Sequence, residues 1–163
     1  MQDKPLLLVD IDGVISLFGF EPDKRPDGAW TQIEGIAHLL STTAAGHLLD
    51  LESSYDCVWC TGWEEKANEY LPHLLGIGPY PVVALAHPGG PGKSLQGHWK
   101  LDAIDTFAGP DRALAWIDDF LDEACERWAE ARKGPTLLVS TDPAQGLTAA
   151  HALQLQDWAA SVN

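Results

Sequence analysis

Three points along the chain place reactive groups directly after short apolar runs. Asp10-Ile11-Asp12-Gly13-Val14 follows Leu6-Leu7-Leu8-Val9, Thr61-Gly62 follows a run over Asp56 to Cys60, and Asp118-Asp119 follows a run over Ala113 to Ile117. Lys100 stands between the last two. If the runs are neighbouring strands, four carboxylates, one hydroxyl and one ammonium converge on one edge of a sheet. Four carboxylates that close would repel strongly. A hard divalent cation with oxygen ligands relieves the repulsion, and magnesium is the usual choice beside a substrate phosphate. One carboxylate held next to metal and lysine is then a nucleophile toward phosphorus. A second, two residues on, exchanges protons with the leaving group and with water. Thr61 and the nearby backbone N–H groups, Gly62 included, can hold phosphoryl oxygens while Lys100 offsets their charge. An Asp after a strand is often only a helix cap or turn residue. The ordered set therefore carries the reading, and its members singly do not.

The elements that must position these groups alternate. Leu6 to Val9 suits a strand buried on both faces. Ser16 to Glu34, rich in Gly, Pro and Asp, reads as loop with room for a hairpin. A helix is predicted over Thr43 to Glu52, with Leu48, Leu49 and Leu51 supplying apolar contacts. A strand over Asp56 to Cys60 precedes a helix over Glu64 to Leu75. In that helix Ala67, Tyr70, Leu71 and Leu74 recur at helical spacing, with Glu64 and Glu65 in the first turn. Val82 to Ala86 reads as a third strand, His87 to His98 as a loop and Lys100 to Phe107 as a short helix. A strand over Ala113 to Ile117, a helix over Phe120 to Arg132, a strand over Thr136 to Ser140 and a helix over Thr148 to Ala160 complete the chain. Gly134-Pro135 marks the stop between the last helix–strand pair. Such alternation predicts an α/β fold: a three-layer, mostly parallel sheet with helices on both faces, within one domain over 1–163. Chemistry in such sheets collects at the carboxyl ends of the strands.

Composition narrows the partners. The 163 residues are 45% hydrophobic and 21% charged, which excludes a disordered tail, a fibre or a disulfide-dense scaffold. The formal net charge of −14 repels phosphate backbones and anionic lipids at long range, against general nucleic-acid binding or a membrane surface. No apolar run approaches the roughly 20 residues that span a bilayer. The start of the chain lacks a secretory h-region, and three cysteines are too few for a disulfide framework. The expected location is cytoplasmic.

Two motifs imitate other chemistry. Gly89-Gly90-Pro91-Gly92-Lys93-Ser94 resembles a P-loop, but the position that needs the first glycine holds His87. Cys57 and Cys60 have the spacing of a redox or zinc pair. On an extended strand residues three apart point to opposite faces, so the two thiols are expected not to meet. His98 is the histidine nearest Lys100, and Trp63, Trp99 and Trp116 each adjoin a candidate motif. These indoles serve either as core or as an aromatic wall against a ring of the substrate.

Asp10-Ile11-Asp12-Gly13-Val14 resembles the first motif of the haloacid dehalogenase superfamily, in its phosphatase branch. Thr61, Lys100 and Asp118-Asp119 are similar in type and order to its second, third and fourth motifs, a likeness spanning residues 6 to 119. Lys93 is an alternative for the lysine, and Asp-Asp stands where many members have Gly-Asp. Trp63, Trp116 and the Asp-Asp pair look similar to dehalogenase-like domains associated with RNA repair. The resemblance implies a Rossmann-like fold and a magnesium-dependent phosphohydrolase. Asp10 would be the nucleophile that forms an aspartyl-phosphate, and Asp12 the general acid/base. Asp10, the Asp12 backbone carbonyl and Asp119 would hold Mg2+, with Asp118 in support. The intervals from Asp12 to Thr61 and from Thr61 to Lys100 are filled by the predicted elements and leave no room for a sizeable cap domain. An open cleft suits a phosphorylated substrate that is macromolecular or nucleotide-containing, or needs a partner subunit to exclude water. Two other readings stand beside this one. A receiver-like phospho-acceptor uses similar groups, but its accepting Asp should end an internal strand, where this chain has Cys60-Thr61. A catalytically silent binding protein of the same fold is the other.

Overall fold

A computed structural model describes residues 3–85 and 96–163. Four parallel strands form the central sheet: β1 (Leu6–Val9), β5 (Asp56–Trp59), β6 (Leu114–Asp118) and β7 (Thr136–Ser140), in the spatial order β5-β1-β6-β7. Leu6 pairs with both Asp56 and Leu114, and Val9 with both Trp59 and Ile117, so the strands that precede the reactive groups end level with one another. This level register is what brings their carboxyl ends together.

Alternation along the strands divides the core in two. Leu7, Val9, Cys57, Trp59, Ala115 and Ile117 face one cluster, and Leu6, Leu8, Val58, Cys60, Leu114 and Trp116 face the other. The first cluster packs under α1 (Thr42–Leu51), α2 (Lys66–Leu75) and α5 (Ala149–Val162); the second packs under α3 (Leu101–Ala108) and α4 (Glu123–Ala131). The α/β three-layer fold expected from the alternation is therefore present. Cys57 and Cys60 lie on opposite sides of the sheet, both buried as free thiols, and burial pushes each up to about 12. The caps are local in origin. Ser41 accepts from Ala44 N–H at 3.0 Å to start α1, Asp122 accepts from Cys125 N–H to start α4, and Thr148 with His151 forms a capping box on α5.

Several elements differ from expectation. The segment Val82 to Ala86 contributes one isolated parallel bridge, Trp59 with Val82, rather than a strand. Trp59 N–H donates to Pro81 and Val83 N–H to Trp59, but Leu85 N–H turns to the Glu64 carboxylate, which diverts the chain from the sheet; Ala86 lies outside the described residues. The hairpin expected within Ser16 to Glu34 reaches further. It consists of β3 (Ala29–Ile33) and β4 (Ile36–Leu40), and β2 (Ser16–Leu17) joins β4 in a second, antiparallel sheet of order β2-β4-β3. Its turn places Glu34 at φ 50° and Gly35 at φ 82°, the paired left-handed geometry of a two-residue hairpin loop. Glu64 and Glu65 precede α2 rather than fill its first turn, and α4 starts at Glu123 instead of Phe120 because Asp122 caps it. Leu49 and Leu74 are exposed, leaving Leu48, Leu51, Ala67 and Leu71 as the buried contacts of their helices. No helix among the described residues is long and apolar enough to cross a membrane.

Candidate active site

The chain leaves β1 through Asp10, whose N–H still donates to Ile117, and then curls back on itself with Ile11 C=O accepting from Val14, Ile15 and Ser16. Gly13 sits in this curl at φ +82°. A Cβ there would overlap the Asp119 carboxylate, so glycine is required both by the backbone and by the neighbour that crosses it. The first loop and the end of β6 are thereby fitted to each other.

Asp10, Asp118 and Asp119 each offer a carboxylate oxygen, and the three oxygens lie within 4.8 Å of one another. Lys100 is wedged beneath them. Its Nζ lies 2.6 Å from Asp118 Oδ2 and 3.3 Å from Asp10 Oδ1, and it donates to the Cys60 carbonyl at 2.9 Å. Only 3% of Lys100 is exposed, so this ammonium is a structural part of the floor and not a mobile surface charge. Burial alone would lower its pKa; Cys60, Asp10 and Asp118 outweigh that and raise it, keeping the lysine charged. Burial pushes the Asp10 carboxyl well above the usual range, against the pull of Lys100 and aided by the charges of Asp118 and Asp119. Burial also raises Asp119, with Asp118 adding to it.

The two adjacent aspartates have different partners. Asp118 Oδ2 is taken by Lys100 and Oδ1 accepts from Phe120 N–H at 3.0 Å. Asp119 is half-buried and faces the cleft. The donor set suits a hard divalent cation: carboxylate oxygens only, crowded at a spacing that a cation relieves, with a lysine supplying just one positive charge. Asp10 and Asp119 are the members best placed to hold it, since Asp118 is already engaged on both oxygens.

Of the residues singled out in the sequence, Asp10, Asp12, Gly62, Lys100, Asp118 and Asp119 line one cleft of about 220 Å³. Thr61 does not. It is fully buried just below, where its Oγ1 accepts from Trp63 N–H at 3.2 Å and shapes the turn after β5. Lys93 and the glycine-rich segment around it lie outside the described residues. Beside the cleft, and sharing Asp12 and Gly62 with it, a second hollow of about 250 Å³ runs under the β3–β4 hairpin.

Three residues gained roles that spacing alone did not assign. His98 Nδ1 accepts from Lys100 N–H at 3.2 Å, so its proton is on Nε2 and is donated to the Phe120 carbonyl at 3.1 Å. The ring stacks on Phe120 and meets Trp116 edge-on, tying the lysine turn to the aspartate turn. Its nearness to Lys100 in the chain was the signal. The Trp99 ring, its centroid 5.5 Å from Lys100 Nζ, walls the cleft. Trp63, a half-buried indole, donates Nε1–H to the Asp12 carboxylate.

The family described as the HAD domain in Swiss Army Knife RNA repair proteins matches residues 6–152. No curated protein matches the chain. The match begins at the strand that delivers Asp10, runs through the lysine and paired aspartates, and ends inside α5, thus taking in the whole central sheet. On that extent, the chain belongs to the HAD superfamily, as a HAD domain of the kind found in Swiss Army Knife RNA repair proteins.

Proposed function

We propose that this protein is a magnesium-dependent phosphohydrolase that cleaves a phosphate monoester through an aspartyl-phosphate on Asp10. The family and the acidic cluster support a hydrolase that uses a metal. The observation that carries the finer reading is the buried Lys100, held between Asp10 and Asp118 at the base of an open cleft whose rim is Asp12, Gly62 and Asp119. A purely structural ion pair would need one acid; here Asp10 and Asp118 both pair with a single lysine, and Asp119 brings a third carboxylate beside them at a cleft. That arrangement suits a bound cation and the anion it accompanies.

In this reading an Asp10 oxygen attacks phosphorus while the bond to the leaving oxygen breaks, and Asp12 gives that oxygen a proton. A water then attacks the phosphoryl group and passes a proton to Asp12, and the bond to Asp10 breaks. Lys100 offsets phosphoryl charge from below. Gly62 lets the phosphoryl group approach the backbone, and Thr61 supports it by fixing the turn. Asp10, Asp119 and the Asp12 backbone carbonyl, with Asp118 in support, would hold a cation, which would supply charge neutralisation beside the phosphoryl group. Exposed Asp12 stands at the cleft mouth, where a leaving group enters from solvent.

The lack of a sizeable cap domain among the described residues favours a phosphate carried on a large or nucleotide-containing molecule. The charge of −14 argues that such a substrate engages through its phosphate end and not along an extended backbone. The test is a turnover screen with magnesium over nucleotides, sugar phosphates, phosphopeptides and 3′- or 5′-phosphorylated oligonucleotides. Steady release of phosphate from at least one class, abolished by Asp10→Asn, is expected. A single stable phosphorylation would mark a receiver-like acceptor, and no reaction with any class would mark a silent binding protein.

A further inference from the structure

We infer that Trp63 is the positioning residue for Asp12, fixing its carboxylate through a closed chain of contacts anchored on the small antiparallel sheet. The inference rests on the proposed acid–base role of Asp12. Trp63 Nε1 lies 3.2 Å from Asp12 Oδ1 and 3.3 Å from Oδ2, and no other side chain among the described residues donates to that carboxylate. The indole is itself held on both sides. Its backbone N–H is bonded to Thr61 Oγ1, and His38 meets its ring edge-on with centroids 5.0 Å apart. His38 Nδ1 is 2.7 Å from Ser16 Oγ. Ser16 in turn bridges to Asp12 through the backbone, which closes the ring of contacts.

A second observation points the same way. Glu64, directly after Trp63, adopts φ 49°, a left-handed conformation that a residue with a Cβ rarely takes. Strain of this kind persists where the surrounding structure over-determines the backbone, and here it lies in the turn that carries Trp63.

The choice of donor is chemically apt. An indole N–H donates, never accepts and carries no charge. It orients a carboxylate without holding it as an anion through charge, as arginine or lysine would. The two contacts are long and shared between both oxygens, so either oxygen retains a lone pair to carry the proton for the leaving group. Sequence order alone could not assign this, because Trp63 and Asp12 are brought together only by the pairing of β1 with β5.

The experiment compares wild type with Trp63→Phe, which keeps a ring against His38 and loses the donor. Two esters of nearly the same shape are used, p-nitrophenyl phosphate and phenyl phosphate. The nitrophenolate leaves with little help from a proton, and the phenolate needs more. Loss of positioning should cost about tenfold in kcat/KM on phenyl phosphate, a fraction of the ~10²–10⁴-fold that general acid catalysis supplies. On the nitrophenyl ester the loss should stay below about threefold. A role confined to packing would lower both alike, so equal losses, or none on phenyl phosphate, overturn the inference. Should Trp63→Phe fail to fold, replacing Trp63 with 3-benzothienylalanine preserves the bicyclic shape with sulfur in place of N–H and answers the same question. Wild type inactive on both esters and on every class of the phosphate screen would defeat the phosphohydrolase reading and this inference with it. Where only a screened class reacts, the same comparison is made with good and poor leaving groups on that phosphate, and active wild type with equal losses defeats the inference alone.

Discussion

Replacing Asp119 with asparagine should raise the stability of the metal-free protein and remove most of its response to magnesium. Asp119→Asn keeps the shape that fits over Gly13 and deletes one charge from three carboxylates whose oxygens lie within 4.8 Å. At that spacing a pair of like charges costs about 0.9 kcal/mol in water and about 3.5 kcal/mol at an effective dielectric of 20. The lower end applies, because Asp119 is half-buried and Lys100 already binds Asp118. The linkage has the same sign. A carboxyl whose pKa is raised in the fold, as burial and Asp118 raise Asp119, costs stability once the pH exceeds both its unfolded and folded values. A neutral amide recovers that cost. A gain of ~1 kcal/mol moves the melting temperature of a chain this size by roughly 2–4 °C. Magnesium at one hundred times Kd stabilises the folded wild type by about 2.7 kcal/mol, which corresponds to roughly 5–11 °C. Parallel thermal melts in chelator and in magnesium check both numbers. In the variant the chelator melt should rise and the magnesium shift should shrink to a small remainder. An unchanged magnesium shift would remove Asp119 from the metal site and move the assignment to Asp118; no shift even in wild type would refute the cation site altogether.

Other outcomes follow from the same geometry. Asp10→Asn should abolish covalent phosphorylation, whereas Asp12→Asn should slow phosphorylation and slow hydrolysis more, by ~10²–10⁴-fold, as rapid-quench trapping of the phosphoenzyme would show. Lys100→Ala should destabilise the metal-free fold by about 3–5 kcal/mol, since it strands two buried carboxylates, and denaturant titration measures this. Asp122→Ala should cost ~1 kcal/mol by uncapping α4. Burial opposes the ionised Asp122 but the Cys125 N–H bond prevails and lowers its pKa, so this contribution is full above the unfolded value near 4 and fades as pH falls through the folded one. If the cleft serves large substrates, kcat/KM for small sugar phosphates should not exceed that for every macromolecular phosphate, and a monomer that prefers the sugars would contradict it.

What the sequence by itself determined was local. The four-residue apolar run before Asp10 could only be a strand buried on both faces, and the alternation of such runs with amphipathic stretches demanded a layered α/β sheet. The opposite facing of Cys57 and Cys60 followed from strand periodicity. The order of acids, hydroxyl and lysine marked the strand ends where chemistry would gather, because each group sits within a few residues of the backbone feature that positions it. The reach of the hairpin was less legible: Glu34-Gly35 carries a weaker turn signal than Asn-Gly, and its second strand lay beyond the Gly- and Pro-rich stretch. The segment after Pro81 looked like a strand from its residues, yet a side chain from another turn, Glu64, claims the N–H that a strand would use.

The division of labour within the site was decided only by tertiary structure. Adjacent residues on a strand end point in different directions, so Asp118 meets Lys100 and Phe120 N–H while Asp119 crosses to Gly13, a distinction that the dipeptide does not contain. Thr61 sinks beneath the cleft and Gly62 stays at its surface for the same reason. The hydrogen bond from Trp63 to Asp12 joins residues 51 positions apart. Spacing and residue type record what a segment can do alone; which of two acids meets the lysine, and which indole meets the acid, depends on the register of parallel strands whose hydrogen bonds close only in the folded sheet.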